Sequence, residues 1–452
     1  MPKLTFVTQS SRFDSAKSFT SERLVNLYPV AGPAGAKSPI LLRPVLGQSV
    51  FSSISVGITR AIAEVNGVLY IVGSGSLYSL TEAGVWMNLG NIDDDVVTTI
   101  SGNGDYVVVV AGGKYYVYDG VSISEPAGGR FDGGGTATYI DNRTIITEYG
   151  GQEFEWTDLA DPTSRQALNY ATNGSKNDKT LLVLADRREL WFFGEDSSEV
   201  FYNTGQSGPD AFVRISGGAI ETGILAANLA VKMSAGIFLV GNDGVAYITN
   251  GLNLTPVSTP AISQAINKST PTHCFYYEDD GHKFCVIRFG DRPAYVFDIT
   301  TGIWHERATG EFGPWEVVGM AKLAGSWHCA LDSGKVYKVG RTGADISGAI
   351  IKTAISKTLT VDGKLFGVGK VEVLASVGAS DIGRDAVISM AASKDSGLTW
   401  GTARERSLGD LGDTMQVVKW HGNGRWYNFA VKLQITDPAD VSLYGDVNIE
   451  VS

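Results

Sequence analysis

The stretch SKDSGLTW, which starts at Ser393, is the segment whose residue types most invite a chemical interpretation. It sets the carboxylate of Asp395 between the hydroxyls of Ser393 and Thr399, and Gly397 and Trp400 complete the pattern. Carboxylates are the groups that glycoside hydrolysis uses, so the first question is whether this chain cleaves sugars.

The spacing Ser-x-Asp-x-Gly-x-Thr-Trp resembles the Asp-box of sialidases and other β-propeller glycosidases. Physically it describes a hairpin: Asp395 accepts nearby backbone N–H groups, Gly397 takes the positive φ of the turn, and Trp400 covers the bend as an apolar plug. Such enzymes also need an arginine cluster, a tyrosine nucleophile and an acid catalyst, and no pattern here selects them. The motif therefore predicts a structural turn, and we expect no catalytic residue.

Histidine and cysteine recur together, which raises the question of a metal site. The pairs are His273 with Cys274, His282 with Cys285, and His328 with Cys329. Adjacent residues on a strand face opposite sides, and the C-x-x-C and H-x-x-x-H spacings of zinc sites are absent from the sequence. Three cysteines cannot form a disulfide framework, which fits free thiols in a reducing cytosol. We expect no metal and no cofactor.

Two acidic clusters and one glycine-rich segment are weaker candidates for ligand binding. Asp93–Asp95 and Glu278–Asp280 lack the D-x-[DN]-x-[DN]-G spacing of a calcium loop and predict solvated turns. GGRFDGGG, residues 128–135, lacks the Gly-Lys-Ser/Thr ending of a phosphate loop. It predicts a flexible loop.

Composition indicates an all-β chain. Of the 452 residues, 43% are hydrophobic, 19% are charged and 55 are glycine, a balance typical of half-buried strands joined by tight turns. Without a long apolar run or a signal-like start, the chain is expected to be soluble, unsecreted and not bound to a membrane. A net charge of -11 without a basic run argues against a protein that grips nucleic acid.

A repeated strand–turn–strand pattern is the strongest sign of organisation. It starts near residues 66, 103, 142, 187, 234, 280 and 324. That spacing is close to the period of roughly 40 to 50 residues expected of four-stranded propeller blades. Residues 46–345 therefore predict a β-propeller of six or seven blades, with seven preferred.

The remaining segments predict two further parts. Residues 1–45 contain a Pro, Gly and Ala cluster and predict an extended N-terminal arm laid on a neighbouring subunit. Residues 346–452 contain strands separated by Gly, Asp and Pro turns and predict an antiparallel β-sandwich. The best short helix candidate is AISQAINKS, which starts at Ala261.

Several long stretches occur in an order that resembles the packaged-DNA stabilisation proteins of short-tailed phages, the tail-hub or head-completion family. They include SERLVNLYPV, ELWFFGEDSSEVFYNTG, AYVFDITTGIWHERATG and VVKWHGNGRWYNFAVKL. The resemblance covers nearly the whole chain and implies a non-enzymatic propeller with an added β-domain. The family pattern is more basic in the last stretch, so a phosphate contact by Lys419 and Arg425 does not carry over.

The resemblance implies a structural virion protein of the tail, assembled in the host cytoplasm and placed at the portal vertex. It implies a homo-oligomeric ring, a hexamer, that contacts the adaptor or portal ring and distal needle, fibre or tailspike proteins. Packaged double-stranded DNA would pass through the channel without specific binding. The alternative is a propeller that binds or hydrolyses carbohydrate.

Overall fold

The computed structural model describes residues 3–6, 21–33, 35, 38–377, 385–409 and 415–451. In this part of the chain strands dominate, and the α-helical content is the single segment Pro260–Lys268. Thr259 caps this helix, because its side chain accepts the N–H of Ile262. Two short 3-10 turns are Gly208–Asp210 and Ala227–Leu229. The helix predicted in this region is confirmed.

Five antiparallel meanders of four strands form consecutive blades, which we number 1 to 5. The strands of blades 1 and 2 are Thr59–Val65, Val68–Gly73, Ser76–Leu80, Trp86–Asn91, Thr98–Gly102, Val107–Ala111, Lys114–Tyr118 and Ile123–Ser124. The strands of blades 3 and 4 are Ala137–Ile140, Arg143–Thr147, Glu153–Asp158, Asp161–Thr172, Thr180–Asp186, Glu189–Gly194, Ser198–Asn203 and Phe212–Ile220. The strands of blade 5 are Ala230–Met233, Gly236–Val240, Ala246–Asn250 and Asn253–Pro256.

The ring closes through a strand from the beginning of the chain. Blade 7 takes its first three strands from Val317–Leu323, Ser326–Leu331 and Val336–Gly340, and its fourth from Gly47–Ser52. In this pairing Gly340 lies opposite Gly47 and Val336 lies opposite Ser52. The two ends of the propeller segment therefore hydrogen-bond to each other, which ties the ring shut.

Between blades 5 and 7, a further four-stranded unit occupies the place of blade 6. Its strands are His273–Asp279, His282–Arg288, Ala294–Asp298 and Ile303–Arg307. They begin a nine-stranded sheet, here called the shared sheet, that continues into the C-terminal domain. The predicted propeller is confirmed, but with six self-contained blades rather than the preferred seven, because the four-stranded unit at position 6 belongs to the sheet that continues into the C-terminal domain.

Blade sequences follow from burial on both faces. A blade packs between two neighbours, so its second strand is apolar along its whole length, as in Val107–Ala111 and Gly236–Val240, where every residue is buried. Tight hairpins join these strands. Asn66 and Gly67 both have positive φ, the conformation that two-residue hairpin turns favour.

The C-terminal domain is a sandwich of two sheets around one apolar core. Beyond blade 6, the shared sheet adds Arg23–Val25, Lys352–Ile355, Ala430–Ile435, Val387–Ser393 and Arg404–Ser407, in that spatial order. The other sheet, here called the sandwich sheet, contains Lys3–Thr5, Leu27–Ala31, Ile40–Pro44, Phe366–Val377, Gln416–His421, Arg425–Trp426 and Val441–Val451. A small hairpin, Ala344–Asp345 with Gly348–Ala349, precedes the domain. The predicted sandwich is confirmed.

The N-terminal segment differs from the separate extended arm expected over residues 1–45. Its described strands belong to the sandwich: Arg23–Val25 joins the shared sheet, and Leu27–Ala31 and Ile40–Pro44 lie in the sandwich sheet. Leu24, Leu27 and Leu42 are fully buried there, although the Pro, Gly and Ala cluster of this region predicted an extended arm. Residues 7–20 lie outside the described residues, and contact with a neighbouring subunit stays a prediction.

Charged side chains fix the sandwich against blade 6. Arg23 donates two hydrogen bonds to the carboxylate of Glu306, at 2.9 and 2.6 Å, and Glu306 is only 1% exposed. Asn26 donates from its side-chain amide to the carbonyls of Ala308 and Ile351. The propeller and the sandwich are therefore joined by backbone pairing and by buried polar contacts.

Candidate functional surfaces

The turn that starts at Ser393 joins the strands Val387–Ser393 and Arg404–Ser407 at the outer edge of the shared sheet. Ser393 donates its hydroxyl to Asp395 at 2.7 Å and accepts the backbone N–H of Gly397 at 2.8 Å. Asp395 accepts the hydroxyl and, at 2.8 Å, the backbone N–H of Thr399. These hydrogen bonds, first of all that from the Thr399 hydroxyl, lower the pKa of Asp395 to about 2.

Gly397 and Trp400 complete the turn, although the indole is not the deeply buried plug that we expected. Gly397 has φ +83°, and a side chain there would press on the Trp400 ring. Trp400 is half-buried, and the ammonium of Lys432 lies 5.7 Å from the centre of its ring. The Asp395 carboxylate and the hydroxyls of Ser393 and Thr399 bond to one another within the turn, which is the geometry of a structural hairpin.

The His–Cys pairs are placed separately on blades 6 and 7. The Nδ1 atom of His282 lies 2.7 Å from the Asp298 carboxylate, whereas Cys285 contacts Met233 in the apolar core. Burial raises the pKa of the Cys285 thiol well above its ordinary value. Among the described residues, no group of three His, Cys, Asp or Glu side chains could hold a metal ion.

The acidic clusters act as structural anchors rather than simply solvated turns. Asp94 pairs with Arg60 at 2.7 Å. Asp279 accepts a hydrogen bond from Arg341 at 2.7 Å, and Asp280 pairs with Arg43. Arg43 lies within the N-terminal strand Ile40–Pro44 and Arg341 lies beside that strand, so this turn of blade 6 is anchored to the N-terminal strands. The partner arginines are distant in the chain, so these ion pairs were not predictable from the sequence.

The glycine-rich segment 128–135 is anchored, although the sequence predicted a flexible loop. The guanidinium of Arg165 donates to the carbonyls of Pro126, Phe131 and Gly133 at 2.9 to 3.0 Å, and to the Glu155 carboxylate at 2.5 Å. Both charged side chains are almost completely buried. Burial raises the pKa of Glu155, because it outweighs the nearby Arg165 charge.

A second glutamate repeats this arrangement one blade further on. Glu199 is 1% exposed, accepts the N–H of Ser175 in the loop before blade 4, and pairs with Arg214 at 3.2 Å. In both blades the strand pairing shifts register just beyond the glutamate. The sequence pattern did not predict these pairs; the signal that could have indicated them is a glutamate directly before a large apolar residue in the third strand, as in Glu155-Trp156 and Glu199-Val200.

The first strands of all seven units line a cavity of about 440 Å³ along the propeller axis. At one mouth the side-chain amide of Asn228 donates to the carbonyl of Val96 at 3.0 Å. This bond joins the loops that precede blades 5 and 2, which lie on opposite sides of the ring. A cavity of this size suits a small molecule.

No helix in the described part of the chain has the length and apolar composition of a membrane span. A comparison with curated proteins gave no significant match.

Solved structures with some likeness are propellers of low identity. The Myceliophteria thermophila Cps50 (Swd1) β-propeller domain is 9% identical, covers 65% of this chain and 99% of its own, and gives a TM-score of 0.44. The Neurospora crassa Pan2 WD40 domain is 10% identical, covers 65% of this chain and 95% of its own, and gives a TM-score of 0.46. BamB from Moraxella catarrhalis is 12% identical, covers 65% of this chain and 97% of its own, and gives a TM-score of 0.42. Scores at this level carry no inference about this chain.

Two family models cover nearly the whole sequence. The model described as Bacteriophage P22 Gp10, beta-propeller matches residues 7–343. The model described as Bacteriophage P22 Gp10, beta-sandwich matches residues 353–451. Their boundary falls where the chain leaves blade 7 for the sandwich, after Gly340. The chain therefore belongs to the Gp10 family of bacteriophage structural proteins, the DNA stabilisation proteins of the virion.

Proposed function

We propose that this protein forms a homo-oligomeric ring, a hexamer, below the portal and adaptor at the tail vertex of a phage. The ring closes the DNA exit channel, retains the packaged genome and docks distal needle, fibre or tailspike proteins. Subunits assemble in the host cytoplasm. The observation that carries this proposal is the match to both Gp10 domains over nearly the whole chain.

The build of the subunit supports a mechanical role. Blade 7 is closed by a strand from the start of the chain, and blade 6 is continuous with the sandwich, so the two domains share one sheet. A closed propeller leaves only short strand edges open to pairing. Such a subunit resists deformation and suits a ring that bears the pressure of packaged DNA.

Charge supports a channel that does not hold DNA tightly. Each chain carries -11, so six copies carry -66. A wall of this sign repels phosphates unless basic residues are gathered on it. Tight binding through six to ten phosphate contacts would be strongly salt-dependent and would slow the exit of DNA. We therefore propose retention by obstruction, with negligible binding of free duplex DNA at moderate salt.

The role proposed here is non-enzymatic, and the competing hypothesis is a propeller that hydrolyses or binds glycans. In the motif that suggested sugar chemistry, the Asp395 carboxylate accepts hydrogen bonds from Thr399 of the same turn. Purified protein should give no turnover with sialosides or bacterial polysaccharides. Saturable turnover that is lost when Asp395 is replaced by Asn would favour the competing hypothesis.

Location within the particle tests the proposal. Electron cryo-microscopy of mature virions should show one ring of this protein in contact with the adaptor or portal, closing the channel below it. A control reconstruction of particles made without the protein should lack that ring and nothing above it. Density for the protein at any other position on the particle would contradict the proposal.

A further inference from the structure

The far end of the sandwich carries a set of basic side chains, here called the basic edge: Arg404, Arg406, Lys419 and Arg425. Arg406, Lys419 and Arg425 are exposed. Lys419 lies 3.8 Å from Glu372, whereas the three arginines form no ion pair with any described residue. Glu405, also exposed, lies between Arg404 and Arg406, so the four basic side chains outnumber the acids Glu405 and Glu372 at this edge of a chain whose net charge is -11.

The backbone of both sheets ends at this edge, and arginines bridge them. Arg404–Ser407 is the last strand of the shared sheet, and Gln416–His421 is the last strand of the sandwich sheet. Arg404 donates to the carbonyl of His421 at 2.9 Å, and Arg406 donates to the carbonyl of Lys419 at 3.2 Å. The guanidinium groups are therefore held in place, with Arg406 open to solvent.

The opposite charge gathers at the turns of blades 1 to 3 that lie on one face of the ring. We call this set the acidic rim, and it consists of Glu64, Glu82, Asp105, Asp119, Asp158 and Asp161. Several of these carboxylates accept hydrogen bonds within their own turns, but none forms an ion pair among the described residues. Arg143 is one positively charged residue near these acids, and its guanidinium donates a hydrogen bond to the Thr157 carbonyl.

Exposed aliphatic side chains accompany these acids. Val85, Val121 and Leu159 each occupy the turn between the third and fourth strands of successive blades, and they are 58%, 87% and 62% exposed. The basic edge offers apolar surface as well, since Tyr427 is 62% exposed and Val417 is 43% exposed. Apolar groups rimmed by charge are typical of surfaces that bind another protein.

The two surfaces lie at opposite ends of the subunit. Blades 2 and 3 stand across the ring from blade 6, from whose outer strand the shared sheet extends. Arg404–Ser407 is the fifth strand beyond Ile303–Arg307, a distance of roughly 24 Å at the usual strand spacing. One chain cannot bring its own basic edge to its own acidic rim.

We infer that the basic edge of one subunit docks on the acidic rim of a second copy of this chain. Opposite charge and apolar surface match across this contact. A contact between two different surfaces of identical subunits is heterologous and propagates head to tail until a ring closes. This inference rests on the ring of the proposed function and names the surfaces that build it.

Paired charge reversals test the contact in the full-length protein. Arg406→Glu with Arg425→Glu reverses two charges of the basic edge, and Glu82→Lys with Asp105→Lys reverses two charges of the acidic rim. Each double variant should stay monomeric in sedimentation at low salt, with association at least about tenfold weaker than that of the parent. Lys364→Glu and Asp132→Lys are matched controls, because both residues are exposed and lie outside the two surfaces. Unchanged melting temperatures establish that the variants fold.

Mixing the two double variants separates head-to-tail contact from other geometries. The edge variant keeps an intact rim, and the rim variant keeps an intact edge. An equimolar mixture should therefore form a dimer that grows no further, and the dimer should weaken as salt rises. A rim variant that still pairs with itself would overturn the inference in favour of an edge-to-edge contact.

Other outcomes also count against the inference. If folded edge variants assemble like the parent, the docking inference is wrong, and the arginines only protect open strand edges from aggregation. That outcome leaves the proposed ring itself unaffected. If the parent binds duplex DNA tightly and the edge variant does not, the edge is a nucleic-acid surface instead. A parent chain that is monomeric at every concentration and in virions would overturn the proposed ring itself.

Discussion

Two loops of this protein are fixed by a carboxylate, one in the propeller and one in the sandwich, and the chemistry of each differs. In the turn at Ser393, Asp395 is bound by neighbours within four residues and has a pKa lowered to about 2. In blade 3, Glu155 is buried beside Arg165, a residue on the next strand, and its pKa is raised.

The difference separates local from tertiary stabilisation. The Asp395 carboxylate gains hydrogen bonds while it keeps its contact with solvent, so ionisation is favoured. The Glu155 carboxylate loses water on folding, and its arginine partner must compensate for that loss. A turn of the first kind is stable wherever its backbone is supported, whereas a clamp of the second kind depends on the complete fold.

The largest effect is expected from breaking the clamp. Arg165→Ala leaves Glu155 buried without its guanidinium and frees three loop carbonyls, which should cost about 3 to 5 kcal/mol of the free energy of unfolding. Chemical denaturation measures this cost. Arg130→Ala is the control, because Arg130 pairs with Glu153 at the surface and should cost less than about 1 kcal/mol. Equal costs in the two variants would show that burial of the pair is unimportant.

The double variant Glu155→Leu with Arg165→Met sharpens the same point. Replacing a buried ion pair by apolar groups of similar volume is often neutral for stability. We expect it to recover most of the loss seen with Arg165→Ala, yet to release the loop at 128–135, because the carbonyls of Phe131 and Gly133 lose their donor. Proteolysis of the loop in the folded protein measures this release. A loop that stays protected would show that the guanidinium does not hold it.

A buried cation in the sandwich gives a pH-dependent effect of intermediate size. Lys352 is 1% exposed and donates to the carbonyls of Asp437 and Ala439, and burial lowers its pKa from 10.5 to about 8. Between pH 8 and 10.5 the unfolded chain binds more protons at this site than the folded chain does. Stability supplied by this group should therefore rise with pH across that window.

Comparison with Lys352→Met isolates this contribution. The parent should gain free energy of unfolding relative to the variant between pH 8 and 10.5, whereas the difference should be flat between pH 6 and 7. A difference that is flat over the whole range would mean that Lys352 has the same pKa in the folded and unfolded chains.

The turn at Ser393 should be less sensitive to substitution. Trp400 is half-buried, so Trp400→Ala should cost about 1 to 3 kcal/mol, below the roughly 3 to 5 expected for a fully buried aromatic residue. Chemical denaturation of the full-length protein measures the loss. A cost as large as that of Arg165→Ala would remove the distinction between the local turn and the buried clamp.

Asp395→Asn should give the smallest effect, and it should depend on acid. The folded pKa lies below the unfolded value, so the carboxylate contributes stability that is present above about pH 4 and is lost as pH falls towards 2. Parent and variant should differ at pH 6 and converge near pH 2. A constant difference across this range would show that the charge of Asp395 is not involved.

These contrasts also explain what the sequence could and could not predict. The propeller and the sandwich were predictable because strands that are buried on both faces need apolar residues along their whole length, and such runs, for example Val107–Ala111, recur in the sequence. The turn at Ser393 was recognisable because its partners are adjacent in the chain. Arg165 with Glu155, and the entry of Arg23–Val25 into the shared sheet, join residues that only the folded chain brings together.

Retention of DNA is the measurement that tests the central proposal most directly. Particles assembled without this protein should package full-length DNA and then lose it once the packaging motor departs, which nuclease sensitivity of encapsidated DNA over time would record. Adding back the purified parent protein before that loss should preserve the genome, largely independent of salt, because the retention proposed here is mechanical. Particles that lack the protein yet keep full-length, nuclease-resistant genomes would contradict the account.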